Sequence, residues 1–153
     1  MTLKIWSPKF GEGQRIPGIY TCMGKDVSPP LLWDEVPDGV GSFALIADDP
    51  DAPMGTWVHW VIYNIPKGVM SLSEGIPNIR KLQDGTTQGK NDFGNIGYGG
   101  PCPPPGKPHR YFFTLYALSD DLKLPDGLTK SDLLKRIKNV IMDSTKFYGI
   151  FSR

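Results

Sequence analysis

Histidine and cysteine are scarce in this chain, with two of each among 153 residues. No pair of them has the C-x2-C or H-x3-H spacing of a recognised zinc site, which argues against a bound metal. No run approaches the roughly 18 apolar residues of a membrane span. The opening MTLKIWSPKF lacks the apolar core of a signal peptide. The expected setting is therefore the cytoplasm, without integral membrane association. Charge of one sign is also missing, because 17 basic residues against 16 acidic ones leave a net +1. That balance gives no electrostatic case for nucleic acid or for an anionic membrane surface. Cys22 and Cys102 lie far apart in the chain, and without a secretion signal they are expected as free thiols rather than as a disulfide.

Fifteen prolines and eighteen glycines, about a fifth of the chain, are abundant by contrast. Aromatic and β-branched runs alternate with them, so the segments they separate read as short strands joined by stiff turns. SFALIADD (42–49), WVHWVIYNI (57–65) and RYFFTLYAL (110–118) are apolar on both faces, as central covered strands are. Strict alternation would put Trp57, His59, Val61, Tyr63 and Ile65 on one side of the second. LKIWS and the stretch around KLQDGTTQGKN are shorter extended candidates. One helix is expected from Thr129, a capping-box N-cap with Asp132, running on to Phe147 through Leu133, Leu134, Ile137, Val140, Ile141 and Ser144. A second, short helix is expected near 71–75. Residues 1–153 read as one mainly β domain.

Both histidines fall in the two oddest stretches. In DPDAP, proline stiffens the backbone, and an extended path would point Asp49 and Asp51 to the same side. Ala52–Pro53 is a candidate cis bond. The motif reads either as a turn whose carboxylates accept backbone N–H groups or as part of a site. His59 follows on an apolar face, as a hydrogen-bonded core residue or as a pocket floor paired with a carboxylate. The second stretch is NDFGNIGYGGPCPPPGKPHRY. Glycines 94, 97, 99 and 100 suit an anion-binding concavity of backbone N–H groups, and His109 and Tyr111 add side-chain donors.

DPDAP followed by W-x-H-W, then YGGPCPPPGKPHRYFFTLYAL, together with YTCMGKDVSPPLLW (20–33), resembles the phosphatidylethanolamine-binding protein family, in its bacterial and archaeal Raf-kinase-inhibitor-like branch. The resemblance implies a large antiparallel sheet packed against a smaller one with one or two peripheral helices. It implies a cavity for phosphate-type anions or phospholipid head groups, lined by Asp49, Asp51, His59, His109 and Tyr111. Tyr98 matches a motif position, and the backbone near Gly100 and Cys102 would donate N–H groups. It implies a non-catalytic protein without cofactor, able to modulate a kinase or protease partner, and a homodimer. The alternative is a hydrolase using the Asp/His cluster. Against it stand the lack of a nucleophile elbow and the closeness of the two aspartates.

Overall fold

In the computed structural model, residues 2–153 are described and form two antiparallel sheets and one α-helix. The smaller sheet has the order β1 (Lys4–Trp6), β2 (Leu31–Asp34), β5 (Ser71–Leu72). The larger has the order β6–β4–β3–β7–β8, with β3 at Ser42–Asp49, β4 at Trp57–Pro66, β6 at Thr87–Gln88, β7 at His109–Leu118 and β8 at Ile141–Phe151. Between the sheets lies one apolar core containing Leu31, Trp33, Phe43, Leu45, Trp60, Ile62 and Phe113. Seven of the eight β3 side chains are buried, because the other face of the large sheet is covered too.

That cover is α1 (Lys130–Ile137). Thr129 Oγ1 accepts from the Asp132 N–H at 3.2 Å and the Asp132 carboxylate accepts from the Thr129 N–H at 3.3 Å, the reciprocal cap expected of this sequence. Leu133 and Ile137 sink into a second core with Ala44, Ile46, Val61 and Tyr63. Each contributes roughly 2 kcal/mol by burial. No helix among the described residues is long and apolar enough to cross a membrane.

Four local expectations fail for physical reasons. The helix stops at Ile137 rather than near Phe147, because the β-branched and aromatic run from Ile141 pairs with β7, from His109↔Phe151 to Leu118↔Ile141. Phe147, Gly149 and Phe151 are buried alternately, the period of a strand, and a ladder along most of a ten-residue strand outweighs further helical turns. The segment near 71–75 supplies β5 instead of a helix. Alternation in β4 is broken by register shifts opposite Phe43/Leu45 and Ala47/Asp48. Each extra residue flips the following side chains, so Val61 and Tyr63 face α1 while Trp60, Ile62 and Ile65 face the small sheet. Finally, there is no cis peptide among the described residues, and Ala52–Pro53 is trans.

Candidate functional site

Antiparallel pairing places the end of β3 beside the starts of β4 and β7. Asp49 pairs across from Trp57, and Asp48 pairs across from Phe112. His59, His109 and Tyr111 therefore reach one end of the sheet from two strands that are not neighbours. The His59 and Tyr111 rings meet edge to face at 5.2 Å, and the His109 ring stacks on Tyr111 at 6.4 Å. Asp49, Trp57, His59, Phe93, Cys102, Pro103, Pro104, His109 and Tyr111 enclose a cavity of about 180 Å³.

Each histidine has one ring nitrogen occupied. His109 Nδ1 lies 2.7 Å from Asp49 Oδ2, and both side chains are buried. The other Asp49 oxygen accepts the Asp51 N–H at 2.8 Å. His59 Nδ1 lies 2.6 Å from the Gly99 carbonyl, which can only accept, so the proton sits on Nδ1 and Nε2 is left free. Burial pushes the His59 pKa below the ordinary histidine range, and the Gly99 carbonyl and the charges of Asp49 and Asp48 pull it back up. Burial first, then Asp49 and Asp51, push the Tyr111 hydroxyl up, so it stays a donor at neutral pH. It makes no hydrogen bond to another described residue.

Other expected site residues are placed differently. After Pro50 the chain turns, so Asp51 leaves the line of Asp49. Its carboxylate is held by Arg110, through Nε and Nη2 at 2.9 Å each and through the backbone N–H at 2.9 Å. Asp51 thus engages an arginine at the surface rather than a histidine. Tyr98 is buried, donates to the Tyr20 carbonyl at 2.7 Å and packs edge-on against Trp60. The glycine loop offers no concavity of free amides. Gly94, Gly97 and Gly99 donate to Asn91, Gly89 and His59 carbonyls, and Gly100 donates to Asp26 Oδ1. The four glycine amides are therefore committed, whereas the Cys102 N–H, at a cavity-lining residue, has no acceptor among the described residues. Cys102 lines the cavity but is no free thiol, because it forms a disulfide with Cys22 across 80 residues, Cα–Cα 5.4 Å. The expectation of free thiols rested on compartment, and the pairing of the 20–27 segment with the loop brings the sulfurs together regardless. Trp57, Phe93, Pro103 and Pro104 were not singled out as site residues, although all four belong to the two odd stretches.

The family model for phosphatidylethanolamine-binding protein matches residues 6–152. The chain belongs to the phosphatidylethanolamine-binding protein family. It is similar to a UPF0098 protein of Methanothermobacter thermautotrophicus, with 49% identity over 94% of this chain and 95% of the relative. A UPF0098 protein of Aquifex aeolicus is 46% identical over 99% of this chain and 89% of its own length. Among solved structures, a phosphatidylethanolamine-binding protein homologue from Chlamydia trachomatis superposes with a TM-score of 0.91 at 36% identity, covering 99% and 98% of the two chains. Escherichia coli YbcL gives 0.91 at 31%, covering 100% and 99%. For this member of the family, the two-sheet architecture follows from its own pairing and agrees with those neighbours.

Proposed function

We propose that this member of the phosphatidylethanolamine-binding protein family is a non-catalytic binding protein whose cavity takes a phosphate-type anion, free or as a phospholipid head group. The observation that carries the reading is the convergence of His59, His109 and Tyr111 on one small cavity, with hydrogen-bonding capacity left over. Charge-assisted hydrogen bonds to an anion are the strong kind, and the His59 and His109 rings that would make them are themselves buried. Asp49 is compatible with an anion because both its oxygens already serve the chain. His59 Nε2 sets a condition on binding. A proton must lie between that nitrogen and the ligand, brought either by a hydrogen phosphate or by the ring. Hydrolysis by the Asp/His cluster is less well supported, since both Asp49 oxygens are engaged and Asp51 is turned to Arg110.

Titration calorimetry with inorganic phosphate and with O-phosphoethanolamine tests the reading. His59→Ala and His109→Ala should each weaken binding about tenfold or more, as loss of a charged hydrogen bond does. Equal heats in the wild type and both variants would exclude this cavity as the site. Tighter binding of phosphoethanolamine than of phosphate would favour a head group as ligand.

A further inference from the structure

The peptide group joining Gly99 to Gly100 is used on both sides. Its carbonyl accepts from His59 Nδ1 at 2.6 Å, and its N–H donates to Asp26 Oδ1 at 2.7 Å. A trans peptide points its carbonyl and its N–H in opposite directions, so the imidazole and the carboxylate flank one planar unit. We propose that Asp26 is a positioning residue for His59: its carboxylate polarises the Gly99–Gly100 peptide, strengthens that carbonyl as an acceptor, and so tightens its hold on the Nδ1–H of the imidazole that lines the cavity.

Hydrogen bonds in a chain polarise one another, and an ionised end makes the effect larger. Asp26 itself is exposed, so its action straight through space on His59 is screened and the route through the peptide is the shorter one. The local structure is arranged for this approach. Asp26 adopts φ +59°, a left-handed conformation that aspartate tolerates better than most residues. A Cβ at Gly100 would come within 2.5 Å of that same Oδ1 and 2.3 Å of the Tyr20 carbonyl, so only glycine admits the contact. Three further ties hold the two segments at this distance. Tyr98 donates to the Tyr20 carbonyl, Cys22 N–H donates to the Pro101 carbonyl at 3.1 Å, and Cys22 and Cys102 are bonded. Those ties already fix the spacing; what Asp26 adds is charge. The other groups acting on His59 are the Gly100 backbone, Asp48 and Asp49 of β3, Tyr111 of β7 and the Phe93 ring.

The first arm of the test needs no ligand. Long-range ¹H–¹⁵N spectra of the whole protein read the tautomer and the titration of His59 directly. Asp26→Asn keeps an acceptor oxygen for Gly100 and removes the charge. It should lower the His59 titration midpoint by about 0.3 pH unit or more and shift the Nδ1–H signal, through loss of a favourable charge. Asp26→Glu keeps the charge and should retain the wild-type signals. Should the Asn variant fail to fold, Asp26→Ser removes the charge in its place. His59 signals unchanged by charge removal, or displaced equally by the Glu variant, would overturn the proposal, because either result reduces Asp26 to a loop cap. The second arm rests on the anion reading above: charge removal should weaken phosphate binding about threefold. If the wild type binds no phosphate yet its His59 signals respond to the Asn variant, the relay stands and the anion reading falls.

Discussion

Asp49, His59, His109 and Tyr111 stand on the ends of three hydrogen-bonded strands, whereas Cys102, Pro103 and Pro104 stand on a loop in which five prolines lack backbone donors. The first wall is positioned by sheet pairing and by burial against Trp60 and Phe113 in the main core. The second is positioned by a few discrete ties: the disulfide, the Cys22–Pro101 hydrogen bond, and Arg153 Nε donating to the Pro103 carbonyl at 2.7 Å. One cavity thus combines a wall held by continuous sheet pairing and a wall held by a few separate links.

The largest effect expected from breaking this contrast comes from the loop. Replacing both cysteines with serine removes a cross-link over 80 residues and should cost about 4 kcal/mol on the chain-entropy account, read by urea unfolding. The His109 and Asp49 contact, mounted on strands, should survive in the folded fraction. If His109 nitrogen shifts change as much as those of His59, the two walls are not independent. Next comes the strand wall. Asp49→Ala strands a buried histidine and should cost about 3 kcal/mol and remove phosphate binding; a variant that unfolds at the wild-type urea midpoint would contradict the buried pairing.

Changing pH sharpens the comparison with a smaller effect. The His59 pKa lies below its unfolded value, so the unfolded chain takes up more protons, and unliganded stability should fall as pH drops from about 6.5 toward that lowered value. Phosphate binding should change in the opposite sense, strengthening as pH falls from 8 to 6 because a proton is needed at Nε2. Calorimetry in buffers of differing ionisation heat measures that proton uptake: uptake assigns the proton to the ring, and none assigns it to the hydrogen phosphate. The smallest effect belongs to Asp51. Arg110 holds its carboxyl down to about 2, so the contribution of this exposed pair is present above pH about 4 and is lost as pH falls toward 2. Asp51→Asn should leave phosphate affinity at neutral pH unchanged; a large loss would bring Asp51 back into the cavity.

Much of the fold was legible because β3, β4 and β7 are long runs apolar on both faces, a pattern that few other environments accept. The Thr129–Asp132 cap was legible because capping is local chemistry between residues three apart. The far end of that helix was not, since the helical spacing runs on through Val140, Ile141 and Ser144 although Ile141–Phe151 pairs with β7. In the site, His59, His109, Tyr111 and Asp49 were legible from two compact motifs. The split between Asp49 and Asp51 was not, because it depends on a turn after Pro50 and on Arg110 arriving from β7. Asp26 gave no signal, as its role exists only through a peptide seventy-odd residues away.

By itself the sequence determined that β3, β4 and β7 become strands, where α1 begins, and which residues carry hydrogen-bonding chemistry, because those properties follow from side-chain type and from spacing of two to four residues. Only the tertiary structure decided which nitrogen of His59 is free, which aspartate meets which base, and that the two cysteines meet. Each of those depends on contacts between residues forty to eighty apart, and such distances are set by the packing of the whole sheet rather than by any neighbour in the chain.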